Sequence, residues 1–173
     1  MATRSLATAL AAAIATATCL LVRPAEAIVC ELPYEDIGGK CLFVDPLVSD
    51  TWYNMRLFCR TLGAGGELVK IDSANLLADI IAYIKRYHFD SANYWIGAND
   101  EDFEQKFKWQ DGTAVPTGSP FWRYECDQSL SQRPLLDTTR NCAALDMDAH
   151  FLLSDFPCLG DDEVKFSPIC EAI

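Results

Sequence analysis

The chain has 173 residues, a length typical of one domain, and its 25 acidic residues outnumber 14 basic ones to give a formal net charge of −11. So negative a chain repels phosphate backbones and anionic lipid surfaces. This charge argues against nucleic-acid partners and against binding to an anionic membrane surface.

The first 27 residues have the pattern of a secretory leader. Arg4 gives a positive start, residues 6–22 are almost uncharged and rich in Ala and Leu, and Ala-Glu-Ala at 25–27 is a small-x-small cleavage site. The alternative, a membrane anchor, requires a longer apolar run. We therefore expect a signal peptide over 1–27 and a secreted, extracellular domain over 28–173, with no membrane insertion.

Seven of the eight cysteines follow this leader: Cys30, Cys41, Cys59, Cys126, Cys142, Cys158 and Cys170. Export favours disulfides, and the absence of C-x-x-C spacing argues against zinc. Their odd number leaves one thiol without an intrachain partner, and spacing alone does not fix the connectivity. A turn at 36–40 between two short strands suggests that Cys30 and Cys41 staple a hairpin.

Two helices are predicted in the first half of the domain. The first covers 51–62, is capped by Ser49 or Asp50, and is followed by a glycine-rich stop. The second covers about 74–87 and is capped by Ser73. The predicted inward residues are Trp52, Met55, Leu57, Phe58 and Leu62 in the first helix and Leu76, Leu77, Ile80, Ile81 and Ile84 in the second.

Short strands and one long loop make up the rest. Strands are predicted at 68–71 and 94–97, around 106–110, and near 142–147, 150–155 and 164–171. The segment 113–141 has three prolines, one glycine and no clear period. A stretch this long in a compact domain is typical of a binding loop.

These motifs together resemble the C-type lectin-like domain, in its long form with an additional N-terminal hairpin disulfide. The residues that carry the resemblance are Trp52…Cys59, the run 62–69, Trp95-Ile96-Gly97, the run 107–112, Cys142…Leu145, Asp155…Cys158 and Ile169-Cys170-Glu171. The resemblance implies an α+β fold with two helices flanking two small antiparallel sheets and a long ligand loop. It also implies three disulfides, Cys30–Cys41, Cys59–Cys170 and Cys142–Cys158.

In sugar-binding members of that family, a loop calcium ion coordinates two vicinal sugar hydroxyls, and a Glu-Pro-Asn or Gln-Pro-Asp triplet after a tryptophan helps to hold it. Here Trp122 is followed by Glu125-Cys126-Asp127. Glu125 matches, and Asp127 keeps an oxygen but has no amide donor. Cys126 replaces a proline that the family holds cis, which predicts a trans and differently aimed turn.

A second ligand group of the family lies just before its third core cysteine, where Ser154 and Asp155 stand. Asp155 matches, whereas Ser154 is a poor calcium ligand. Arg140 replaces a family glutamate two residues before Cys142. The resemblance thus implies carbohydrate contacts by Glu125, Asp127, Arg140, Ser154 and Asp155, and calcium contacts by the three acids among them. Alternatively, Arg140 fills the metal position and pairs with Glu125, Asp127 or Asp155, and Asp137 is a further candidate ligand.

A neighbouring structural calcium site in some members uses an acidic pair four residues apart, which Asp100 and Glu104 match. Gln128 and Asn141 would be their neutral partners. The alternative is an exposed acidic turn over 100–102.

We expect no enzyme, because neither His88 nor His150 belongs to a nucleophile–base arrangement. Cys126 predicts a disulfide-linked dimer, with a buried or capped thiol as the alternative.

The leading functional hypothesis is glycan recognition in innate immunity. The second is calcium-independent protein binding through the loop, with Phe121, Trp122 and Tyr124 as anchors. A third, association with mineral, rests only on the acidic charge.

Overall fold

The computed structural model describes residues 28–63, 65–104, 106–116, 121–124, 132–134, 137–159 and 164–173. The predicted leader and the predicted site residues Glu125, Cys126, Asp127 and Gln128 lie outside these residues. Within the described ranges, none of the helices has both the length and the apolar character needed to span a membrane.

The described residues form two α-helices, one short 3₁₀-helix (Met147–Ala149) and eight strands, which confirms the α+β class. The helices are α1 (Trp52–Thr61) and α2 (Ala74–Arg86), and the strands are β1 (Glu35–Ile37), β2 (Lys40–Val44), β3 (Glu67–Leu68), β4 (Tyr94–Asn99), β5 (Lys108–Trp109), β6 (Cys142–Asp146), β7 (Leu152–Phe156) and β8 (Ser167–Glu171).

Strand β8 joins the two predicted small sheets into one. It pairs antiparallel with β2 along one edge, and along its other edge it pairs antiparallel with β3 and parallel with β4. Beyond β4 the order continues through β6 to β7, while β5 pairs with β4. The β6–β7 hairpin forms the edge against which the long loop lies.

Both helices form where the sequence predicts them, with two corrections in α1. Thr51, not Ser49 or Asp50, caps α1 by accepting from the Asn54 amide at 3.4 Å. Leu57 is 60% exposed, because it lies about 140° around the helix from Trp52 and so leaves the buried stripe. Ser73 caps α2 as expected, accepting from the Leu76 amide at 3.1 Å.

The two helices pack against separate parts of the core. Trp52, Cys59 and Trp95 belong to the cluster beneath α1, whereas Ile80 and Ile96 belong to the cluster beneath α2. The buried indoles satisfy their N–H groups by donating to backbone carbonyls: Trp52 donates to Ile96 at 2.9 Å and Trp95 to Asp50 at 2.9 Å. These two bonds connect the start of α1 to β4.

Gly97 marks a close backbone approach in this core. Its amide donates to the Val69 carbonyl at 2.9 Å. A Cβ added at Gly97 would lie 2.5 Å from the Leu68 carbonyl oxygen. The glycine of the Trp95-Ile96-Gly97 motif is therefore required by contact between β4 and the residues around β3.

The three disulfides implied by the resemblance are present. Cys30 pairs with Cys41, Cys59 with Cys170 and Cys142 with Cys158, at sequence separations of 11, 111 and 16 residues. Cys59 and Cys170 are completely buried. Their bridge fastens α1 to the central strand β8.

Replacing Cys59 and Cys170 together by alanine is expected to destabilise the domain more than replacing Cys30 and Cys41. In the chain-entropy model, the long bridge contributes about 5 kcal/mol and the short one about 3 kcal/mol. Urea unfolding of both double variants measures the difference. A larger loss from the hairpin bridge would contradict this ranking.

Candidate functional site

The long loop is fastened to β7 by backbone hydrogen bonds. The Leu153 amide donates to the Phe121 carbonyl at 2.7 Å, and the Arg123 amide donates to the Leu153 carbonyl at 2.8 Å. The Arg133 amide then donates to the Arg123 carbonyl at 2.9 Å. Two separate parts of the loop are thus layered beside β7, and Arg133 lies in the second layer.

Trp122 anchors the first of these layers in the core. It is only 1% exposed, and its indole N–H donates to the Pro116 carbonyl at 3.1 Å. Its ring meets Phe107 edge-on, with centroids 5.1 Å apart. Trp122 is therefore a core residue rather than a ligand contact, whereas Tyr124, two residues on, is 54% exposed.

A buried ion pair connects the second layer to the middle of β7. The Arg133 Nη1 atom lies 3.0 Å from the Asp155 Oδ1 atom, and the two side chains are 9% and 0% exposed. A guanidinium and a carboxylate at this distance form a charge-assisted hydrogen bond, which is stronger in a low-dielectric interior than in water. Asp155 is thus already bound to a cation that belongs to the chain.

A second arginine pair connects the first layer to the end of β6. Arg123 Nη1 donates to Asp146 Oδ2 at 2.7 Å, and the buried Ser154 hydroxyl donates to the same oxygen at 3.1 Å. The other Asp146 oxygen accepts from the Asp148 amide at 3.0 Å. The buried Ser154 side chain therefore helps to hold the Asp146 carboxylate in place for Arg123.

Arg140 does not reach Asp155, contrary to one of the expected pairings. Its Nε atom lies 3.2 Å from Asp137 Oδ2 in a local pair whose two side chains are both 36% exposed. The other Asp137 oxygen accepts from the Thr139 hydroxyl and amide at 2.6 and 3.0 Å. These hydrogen bonds, first that of the Thr139 hydroxyl and second that of its amide, stabilise the ionised Asp137 carboxylate and lower its pKa. Asp137 and Arg140 thus stabilise a turn rather than the site around Asp155.

Arg133 is the residue of the buried ion pair that the sequence motifs did not predict. The prediction of the triplet at Glu125 rests on its acid and on its place after Trp122, although Pro134 is the only proline between Trp122 and Cys142. Alignment on that proline places Arg133 at the glutamate position of the family triplet, which agrees with its contact to Asp155. The Arg133–Pro134 peptide bond is cis.

The described residues of this site do not fit calcium. Calcium takes six to eight oxygen ligands, whereas Asp155 is bound to Arg133 and Ser154 donates to Asp146. Within the described ranges, no group of three or more His, Cys, Asp or Glu side chains is placed to hold a metal ion. Calcium and sugar contacts by Glu125 and Asp127 stay a prediction.

The two acids of the neighbouring structural calcium site, Asp100 and Glu104, differ in burial. Asp100 is 4% exposed and its amide donates to the Asn141 carbonyl at 3.1 Å, whereas Glu104 is exposed. The expectation of a fully exposed acidic turn over 100–102 is therefore wrong at Asp100. The Asn141 Oδ1 atom is buried and has no hydrogen-bond partner in the described part of the chain. Among the described residues, Asp100 and Asn141 supply too few oxygens for a calcium shell. The predicted partner Gln128 lies outside those residues, so this second calcium site also stays a prediction.

Beside Asp100 lies a polar cavity of about 310 Å³ lined by both acids and bases. Glu101 lines it and accepts from the Tyr53 hydroxyl. Burial, and then the charge of Asp102, raise the pKa of Glu101. Lys106 and Lys108 line the cavity as well, and their ammonium groups lie 5.7 and 5.0 Å from the Phe103 ring centroid.

Comparison with known proteins gives one family. The family model for the lectin C-type domain matches residues 48–166. The C-type lectin BfL-2 of Bungarus fasciatus is 30% identical over 89 residues, which cover 50% of this chain and 54% of that protein. The chain thus spans about half the length of the curated relatives it matches, or less.

Solved structures show the same fold. The C-type lectin CEL-I from Cucumaria echinata has a TM-score of 0.64 at 18% identity and covers 82% of this chain and 96% of its own. A calcium-independent type II antifreeze protein has a TM-score of 0.62 at 21% identity and covers 84% and 95%.

Replacing Arg133 by glutamine is expected to lower the free energy of unfolding by about 3–5 kcal/mol, because it leaves the buried Asp155 carboxylate without its guanidinium partner. Arg140→Gln is the matched control, since the Arg140–Asp137 pair is partly exposed and should leave stability nearly unchanged. Guanidinium-chloride unfolding compares the two variants. Equal losses would contradict the assignment of Arg133 as the buried cation.

Proposed function

This chain belongs to the C-type lectin domain family, and from that membership we propose that it is a secreted recognition protein that binds glycans on microbial surfaces. Members of this family typically recognise ligands without catalysing a reaction. The proposed secretion follows from the leader pattern over 1–27, and the proposed role in innate immunity follows from the ligand class.

The observation that carries the proposal is that described residues of the loop are attached to β7 and the end of β6. Three backbone hydrogen bonds and two arginine–aspartate pairs hold residues 121–124 and 132–133. Such a preordered surface binds with a smaller entropy cost than a mobile loop. Tyr124 projects from it and is 54% exposed.

Tyr124 is the proposed centre of the ligand surface. The face of a tyrosine ring packs on the apolar face of a sugar, and its hydroxyl exchanges hydrogen bonds with sugar hydroxyls. Glu125 and Asp127 follow it in sequence and would accept hydrogen bonds from the same ligand. Arg140 is half-buried and would donate hydrogen bonds to that ligand.

The buried residues of the predicted set would act indirectly. Ser154 and Asp155 are 1% and 0% exposed, so in this proposal they hold Arg123 and Arg133 in place rather than contact the sugar. The proposed carbohydrate site thus has an outer ligand-contacting group and an inner supporting group.

Protein binding is the second candidate function. It is favoured by the engagement of Asp155 with Arg133, because the usual calcium bridge to sugar hydroxyls requires that carboxylate. In this alternative, Tyr124 is an aromatic anchor in a protein interface.

A disulfide-linked dimer through Cys126 is proposed with either ligand. Electrophoresis of the secreted protein without reductant should show twice the monomer mass, and Cys126→Ser should return it to the monomer. Monomer mass for the unaltered protein would rule out the covalent dimer.

Replacing Tyr124 by alanine is expected to weaken glycan binding at least about 10-fold, as for the loss of a central aromatic contact. Tyr87→Ala is the matched control, because Tyr87 is 45% exposed at the end of α2. A glycan array followed by calorimetry on the best ligand makes the comparison. Binding to no glycan, together with Tyr124-dependent capture of a surface protein, would favour the second candidate.

A further inference from the structure

We propose that the guanidinium of Arg133 performs the structural task of a calcium ion in the long loop, so that residues 121–124 and 132–134 are held on β7 without any metal. The proposal concerns how the loop is held, and it does not require the ligand to be a glycan.

The first support is the position of the cation. Asp155 is the residue of β7 that matches a family calcium ligand, and Arg133 Nη1 lies 3.0 Å from its Oδ1 atom. Both side chains are at least nine-tenths buried. A buried carboxylate requires a positive partner or a full set of hydrogen bonds, and Arg133 supplies the positive charge from within the chain.

The second support is the reversal of charge around Asp155. With the family triplet aligned on Pro134, Arg133 occupies a position at which the family pattern has a glutamate. A divalent cation that approached Asp155 would meet the guanidinium of Arg133 and would have to displace it. The displaced guanidinium would then lose its buried partner, which opposes the exchange.

The third support is that the same residue orders the backbone. The Arg133 amide donates to the Arg123 carbonyl, and the Arg123 amide donates to the Leu153 carbonyl. The side chain of Arg133 therefore fixes its own segment on β7 and, through Arg123, the segment that carries Tyr124. A loop calcium ion has the same effect, because it joins ligands from separate parts of a loop.

Amide hydrogen exchange of the disulfide-intact domain, measured without ligand, tests this role. The probes are the amides of Arg123, Arg133 and Leu153, in EDTA and in about 5 mM calcium, which exceeds the ~1 mM dissociation constants of weak extracellular calcium sites. We expect equal exchange in the two conditions. Faster exchange in EDTA would overturn the proposal.

Variants separate the charge of Arg133 from its bulk. Arg133→Gln should accelerate exchange at these amides at least about 10-fold in both conditions, whereas Arg140→Gln should not. Arg133→Lys keeps a positive charge near Asp155 and should retain most of the protection. Exchange in Arg133→Lys as fast as in Arg133→Gln would overturn a role for the charge, and the lysine variant also serves if the glutamine variant does not fold. Because no ligand is present, failure of glycan binding would leave this result unchanged.

Discussion

The close approach of β4 to the backbone around β3 is the constraint on which the rest of the fold depends. Gly97 lets the two backbones meet, and its amide bonds to Val69. The indoles of Trp52 and Trp95 then bond across to Ile96 and Asp50. A side chain at position 97 would separate β4 from β3, and the cores beneath the two helices would lose their common wall.

Elements that depend on local sequence patterns could be predicted from the sequence. The partner of Asp155 could not, because it depends on the path of the loop. Helix α2, its Ser73 cap and its buried face follow from apolar periodicity and capping chemistry. The inward prediction for Leu57 is wrong because it rests on apolar character alone, whereas the 100° step of a helix already places Leu57 about 140° from Trp52. Which arginine reaches Asp155 depends on how the loop folds back on β7, and the spacing from Cys142 favoured Arg140 although Arg133 makes the contact. Pro134 was the available signal.

Arginine–carboxylate pairs recur where the long loop and helix α1 meet the sheet. Arg123 and Arg133 fasten the loop, and Glu67 of β3 accepts from Arg56 of α1 at 3.0 Å and from Arg60 of α1 at 2.7 Å. Glu67 is 7% exposed. In the loop, where backbone leaves regular structure and loses ladder hydrogen bonds, the long arginine side chains replace them over distances that short polar groups do not span. A strongly acidic chain therefore uses several of its few cations for architecture.

The central place of β8 determines when this fold can form during synthesis. Strand β8 is made after every other element described, yet β2, β3 and β4 all pair with it. Cys59 emerges from the ribosome 111 residues before Cys170, an interval of roughly 5–20 s at ordinary rates of translation. During that time the thiol of Cys59 lacks its native partner, while Cys30 and Cys41 can already pair. The nascent chain therefore needs protection from mispairing at Cys59 more than at any cysteine of the local bridges.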